Sequence, residues 1–373
     1  MNWTRATFLM LPMLGLAVAI PAAGGDKKKE YPTFGKITRL DPGLDALLDK
    51  DAKLEKIAGG KDPATGKDRF VWTEGVVWVP KGGYILFSDI PNNVINKWKD
   101  GEVTKFIEPA GYRGNKRNIG NPGDEPGTNG LRMDSEGRLV TCQHGDRRVA
   151  RLDTKLDANT KPMIGLDNVK WTTLADRYTA KRLNSPNDLV FAKNGDIYFT
   201  DPPYGLEKHD KDPARELSFQ GVYRIKKDES PIGYHGEIEL LTKELNRPNG
   251  IALSPDDKTL YVGNSETDNP VWMAFPLEGG KLGAGKVFFD ASKLVAQKLP
   301  GAPDGIKVDT QGNLWATGPG GVLILSPKGV LLGLIETGTN TANCCFGDDG
   351  STLYICANHD IARIRTKVKG LGF

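Results

Sequence analysis

The sequence predicts an all-β fold, a six-bladed β-propeller, from three observations. One strand pattern recurs six times in phase, each copy resolves into short runs of period-2 alternation, and no sustained 3.6-residue apolar stripe occurs outside Leu44–Ala58. Each copy has a polar residue, an alternating apolar run, a tight turn containing Gly and then further β-branched or aromatic runs. The copies open at Glu74, Asn129, Asn187, Asn249, Asp304 and Asn343, spaced by 55, 58, 62, 55 and 39 residues. That spacing suits one four-stranded sheet per copy with variable loops, and radial repetition leaves few exposed edges. Paired sandwiches, the competing all-β reading, lack such in-phase repeats.

In chain order, residues 1–24 carry a single charge, Arg5, then an apolar run from Ala6 to Ile20 and the small residues Ala22-Ala23-Gly24. This is the order of a signal peptide, and the run is too short for a membrane span, so the expectation is an exported protein, periplasmic or extracellular. No integral membrane segment is expected in the mature chain. Residues 25–51 read as an N-terminal extension and residues 52–373 as the propeller. Within it Ala52–Ala58 (AKLEKIA) is the expected outer strand that closes the last blade onto the first. In the first copy VVWV, GGYILF and NVINKW are hairpin-type strands, as are IALS, KTLYVGN and VWMAF in the fourth.

Fifty Lys and Arg against 47 Asp and Glu give a net charge of +3, too balanced for an electrostatic nucleic-acid binder. The four histidines are far apart, and no CxxC or Cys/His spacing of a zinc site occurs. Cys344 and Cys345 are adjacent while Cys142 and Cys356 lie in strand-like runs, leaving buried thiols and one bridge both open.

In a propeller the innermost strands run along the central channel, so the six opening residues meet around the axis. Two carboxylates and four amide carbonyls form a hard-oxygen ring suited to calcium, with no sulfur or imidazole to favour zinc or copper. Asn-Gly and Asp-Gly are also ordinary turn dipeptides. Here, however, the polar residue enters a strand, three times behind proline (SPND, RPNG, APDG), and a carboxylate such as Glu74 facing a closed channel needs a partner.

At these residues the chain resembles the family of gluconolactonase, senescence marker protein (regucalcin) and luciferin-regenerating enzyme. The motifs are TEGVVW, CQHGDRRV, LNSPNDLVF with YFTDPPYG, RPNGIALSPD, PDGIKVDTQGNLW and NCCFG, across about Phe34 to Arg365. The resemblance implies a six-bladed propeller that hydrolyses sugar and related lactones on a divalent cation. It places Glu74, Asn187, Asn249 and Asp304 on the metal, calcium foremost, with Zn2+, Mn2+ or Mg2+ as other occupants. Asn129 and Asn343 are kept as channel-lining residues. Asp304 is the expected general base and Asp188 the runner-up, with Asn129, His144, Ser185 and Tyr204 as substrate contacts and Arg147 as a blade-to-blade residue. Animal members carry a sugar-contacting Arg where this chain has Ser185, which implies a roomier mouth and a broader lactone range. Two alternatives share the same residues: a phosphotriesterase or arylesterase-type hydrolase, and a non-catalytic calcium-binding propeller. The sequence does not set the oligomeric state.

Overall fold

A computed structural model describes residue 1 and residues 29–230, 232–234 and 238–373. The leader-like stretch at 1–24 therefore lies outside the described residues, Met1 excepted. From Tyr31 onward six sheets of mainly antiparallel strands follow one another around a central channel, blades 1 to 6 in chain order, with a short hairpin, Arg177–Tyr178 against Lys181–Arg182, beside them. Their inner strands are Thr73–Val79, Thr128–Met133, Leu189–Phe191, Pro248–Leu253, Ile306–Val308 and Asn343–Gly347, so every copy read from the sequence is one blade.

Blade 6 is completed by Glu55–Ala58, which pairs with Asp360–Arg365 inside the stretch expected to close the ring. A second N-terminal strand, Lys36–Arg39, adds a fifth strand to blade 5 against Leu331–Glu336. The Leu44–Ala58 stretch forms no helix longer than a 3-10 turn: it starts in that turn, Pro42–Ala46, and ends in the strand Glu55–Ala58. Pro42 presets the start of the turn and Asp41 accepts from the Gly43 amide at 2.7 Å. Leu44, Leu47 and Leu48 are buried there against Trp315 and Ile324 of blade 5 and Phe346, Ile355 and Ile364 of blade 6. Leu44, Leu47 and Leu48 of the expected extension thus join the propeller's core, with Phe34 and Ile37 packed against it. Between other blades the pattern is the same: Val77, Tyr84 and Leu86 of blade 1 pack on Leu131, Leu139 and Leu152 of blade 2. Each such side chain contributes about 1.5–3 kcal/mol by leaving water.

The Gly that follows a ring residue serves the approach of blades. A Cβ on Gly75 would sit 1.8 Å from the Asn129 carbonyl oxygen, and one on Gly250 would sit 2.0 Å from that of Asp304. The ladder register shifts at the same points, between Glu74 and Val77 and between Pro248 and Ile251. Hydroxyls of the second strands then fasten neighbouring blades. Ser88 donates to the Asn129 carbonyl at 3.0 Å and Thr200 to that of Asn249 at 2.7 Å. All four cysteines are free and buried, and burial pushes the Cys344 thiol up to about 11. Among the described residues no helix is long and apolar enough to cross a membrane.

Candidate active site

In three blades a polar residue at the far end of the second strand sets the entry into the inner strand. Asp89 accepts from the amides of Val71 and Trp72, just before Glu74. Asp201 accepts from those of Asn184 and Ser185 at 2.8 Å, just before Asn187, and the Asn264 amide oxygen accepts from Arg247, just before Asn249. Burial drives Asp201 up to about 7. These clamps precede Glu74, Asn187 and Asn249, and five of the six opening residues line one cavity.

The cavity is about 400 Å³ and is lined by Glu74, Asn129, Asn187, Asn249 and Asp304, with Trp72, Glu125, Tyr204 and Ser265 among its walls. Glu74 Oε2 accepts from the Gly75 amide at 2.8 Å and from Asn343 Nδ2 at 3.1 Å. Asn249 Nδ2 donates to the Ser265 hydroxyl at 2.9 Å. The Oδ1 atoms of Asn129, Asn187 and Asp304 are buried and accept no hydrogen bond. Burial pushes Glu74 up to about 8, with Asp188 and Glu125 adding repulsion. Asp304 rises well above the carboxylate range, from burial first and then from Glu74, Asp188 and Glu125. Unpaired inward oxygens and mutually repelling buried carboxylates are the donor set that a hard divalent cation satisfies, so these residues fit one. Among the described residues no three His, Cys, Asp or Glu side chains cluster to hold a metal, and two of the four expected ligands, Asn187 and Asn249, are amides.

The structure places the other expected residues unevenly. Tyr204 lines the cavity with its phenol pushed up by burial and hydrogen-bonded to Ser265, while Arg247 stacks over its ring at 5.4 Å. Asn343 stands behind the wall, joining Glu74 to Lys307, whose Nζ donates to Asn343 Oδ1 at 2.9 Å. Asp188 does not line the cavity. Its Oδ1 accepts from the Leu189 amide at 2.8 Å and lies 3.7 Å from Arg132, which corrects its reading as an alternative base. Ser185 is also corrected: fully buried, its hydroxyl donates to the Pro202 carbonyl at 2.6 Å and accepts from the Gly205 amide at 2.8 Å. It holds the turn that carries Tyr204, and no substrate can reach it there. His144 is fully buried one layer behind Glu125, so it is no direct substrate contact either. Arg147 bridges blades, donating to the carbonyls of Leu183, Asn184 and Ala214.

Sequence reasoning missed Trp72, Glu125 and Ser265. Trp72 directly precedes the first copy, and Ser265 follows the second strand of blade 4 as Ser88-Asp89 ends that of blade 1. Glu125 sits in PGDEPG, between blades 1 and 2, where no other copy has a counterpart.

Such a ring in the mouth of a six-bladed propeller defines a class of channel-centred propeller proteins. Residues 72–359 match the SMP-30/gluconolactonase/LRE-like region, and the chain belongs to that family. Within it the chain is 38% identical over 348 residues to a gluconolactonase of Zymomonas mobilis, across 91% of this chain and 88% of the relative. A solved gluconolactonase of Xanthomonas campestris superposes with a TM-score of 0.70 at 28% identity, over 91% of this chain and 98% of that one. The calcium-binding regucalcin of Agrobacterium tumefaciens shares the fold at a TM-score of 0.58 and 17% identity, over 82% of this chain and 92% of that one.

Proposed function

We propose that this chain opens sugar lactones by attack of water on the ring carbonyl, with a divalent cation, calcium foremost, held by Glu74, Asn187, Asn249 and Asp304. The lactonase class rests on the 38% identity to a gluconolactonase across nearly the whole of both chains. Cation dependence rests on one observation, the unpartnered buried oxygens of Asn187 and Asp304 beside Glu74 in the cavity.

When bound, the cation supplies Lewis-acid stabilisation of the oxyanion that develops as the lactone carbonyl is attacked. The protein's own residues do the rest. The cavity, at about 400 Å³, takes one six-membered sugar ring and few waters besides. Asp304, besides its carboxylate's part in holding the cation, is the proposed acceptor of a proton from the attacking water. Asn343 fixes the Glu74 carboxylate from behind through its Nδ2. Tyr204 and Ser265 present hydroxyls on the wall beside Asn249. The leader-like order of residues 1–24 favours this chemistry outside the cytoplasm, and sequencing the N-terminus of the mature protein from cell fractions tests that part.

The decisive experiment is hydrolysis of a lactone panel followed with a pH indicator, with calcium and with chelator. Rapid turnover of D-gluconolactone that chelator abolishes and calcium restores is expected. Undiminished turnover after exhaustive chelation would remove the cation from the reading, and turnover of phosphotriesters or aryl esters alone would replace the substrate class.

A further inference from the structure

The cavity wall holds one carboxylate that the ring does not use. Glu125 lines the mouth, its side chain 29% exposed, and it comes from the connection between blades 1 and 2, outside any blade. Two neighbouring groups border it, neither by a hydrogen bond to its carboxylate. From behind, His144 Nδ1 lies 3.3 Å from Glu125 Oε2, close to but out of line with a direct hydrogen bond. His144 is fully buried at the end of the middle strand region of blade 2 and has no directed partner on either ring nitrogen. It cannot swing away, because Gly205 packs so closely that a Cβ there would meet His144 Cβ at 2.4 Å. From the side, the neighbouring Asp124 is clamped by Arg117, whose Nε lies 3.2 Å from Asp124 Oδ2 and whose Nη1 donates to the Gly205 carbonyl at 2.7 Å. The loop that carries Glu125 and the turn that carries Tyr204 are therefore tied to one another across the mouth.

A carboxylate on a cavity wall that accepts no hydrogen bond from the protein is a free acceptor for hydroxyls. Two acceptor oxygens in one plane suit adjacent hydroxyls, and charge-assisted bonds of this kind are about twice as strong as neutral ones. We propose that Glu125 is the residue through which this site reads the hydroxyls of its lactone, and that His144 is its positioning residue. This rests on the lactone reading above, and it moves hydroxyl recognition from Ser185, which is buried, to a residue that no repeat position marks. Carboxylate acceptance makes the site selective for polyhydroxylated rings over aliphatic ones of the same size.

The test compares D-gluconolactone with δ-valerolactone, which has the same ring and no hydroxyls, in wild type, Glu125→Gln, Glu125→Asp and His144→Ala. Binding of the unreactive D-gluconolactam and δ-valerolactam is measured alongside by calorimetry. For Glu125→Gln, KM for gluconolactone and Kd for gluconolactam should rise about 10- to 100-fold, with kcat and both valero compounds changing less than about threefold. His144→Ala should weaken gluconolactam in the same sense, and in the Glu125→Gln background it should add little, the signature of a residue that acts through another. Equal losses on both lactones, or no change in gluconolactam affinity in a Glu125→Gln protein that melts like the wild type, would overturn the proposal. A wild type that opens no lactone yet binds gluconolactam through Glu125 would overturn the hydrolytic reading and leave this one standing.

Discussion

Replacing Glu74 by Gln should stabilise the cation-free protein at neutral and alkaline pH while destroying its function. In the fold, burial first and then Asp188 and Glu125 push Glu74 from an ordinary 4.5 to about 8. The unfolded chain therefore releases this proton first as pH rises, so wild-type stability falls between pH 4.5 and 8 and the penalty is absent below that window. At pH 7 a displacement of that size costs about 3 kcal/mol, each pK unit being worth about 1.4. Gln keeps the volume and an oxygen for the Gly75 amide and for Asn343 Nδ2, so only the charge is lost. In chelator the variant should melt roughly 5 °C above the wild type at pH 7 and together with it at pH 4.5. Calcium at about a thousand times its Kd should reverse the order, since an ion bound only by the fold then stabilises the wild type by about 4.1 kcal/mol, more than the charge costs. Calorimetric melts at the two pH values, with chelator and with calcium, measure all of this. A gap of equal size at both pH values, or a Gln variant that melts below the wild type at pH 7 in chelator, would refute the argument.

Asp304→Asn keeps the side-chain volume and should fold normally while losing at least about a hundredfold in kcat/KM on gluconolactone at saturating calcium; full activity would remove Asp304 as base and as required ligand. Gly250→Ala drives a Cβ to within 2.0 Å of the Asp304 carbonyl oxygen, so soluble yield and calcium affinity should both fall, as read by fractionation and calorimetry. Ser185→Arg should yield little folded protein, because the arginine would have to displace the Pro202 and Gly205 backbone around it; a well-folded variant with an altered lactone preference would contradict that placement. The four thiols should resist a thiol reagent in the native protein and react in full after denaturation, since all are buried and burial pushes Cys345 up to about 12.

The propeller was legible because its blades are serial. Six copies of one strand pattern reveal both the period and the positions that converge on the axis. The ring residues were legible for the same reason, as Glu74, Asn129, Asn187, Asn249 and Asp304 hold one register position in successive copies, and five of the six such positions reach the cavity. Asn343 holds that position too, but it hydrogen-bonds Glu74 and Lys307 behind the wall, a direction that the repeat does not encode. Ser185 misled because two positions before a ring residue looks close in sequence. There the backbone is turned by Asp201, and the hydroxyl faces the protein. Glu125 and Trp72 were illegible as site residues because they come from connections, whose course is set by tertiary clamps such as Arg117 on Asp124 and Asp89 on the Trp72 amide. An acid flanked by proline and glycine in the longest connection before blade 2 was the available signal.

The pairing of Lys56 with Ala362 spans 306 positions, and closing a loop of that length costs about 5 kcal/mol in chain entropy before any contact forms. A ribosome delivers Glu55–Ala58 early and Asp360–Arg365 almost last, so for most of synthesis the first of these is an edge without its partner. Its charged Glu55 and Lys56 make that edge a poor template for other chains, and Glu55 later receives Arg363 at 2.7 Å. The ring also joins its first blade to its last at the active site, where Asn343 steadies Glu74. A chain cut between Asp304 and Asp360 would carry every residue assigned to the cation and still lack the strand that brings blade 6 against blade 1. If the proposed cation site holds, cation binding is a property of finished molecules, and calcium affinity would serve as an assay of whether the circle has closed.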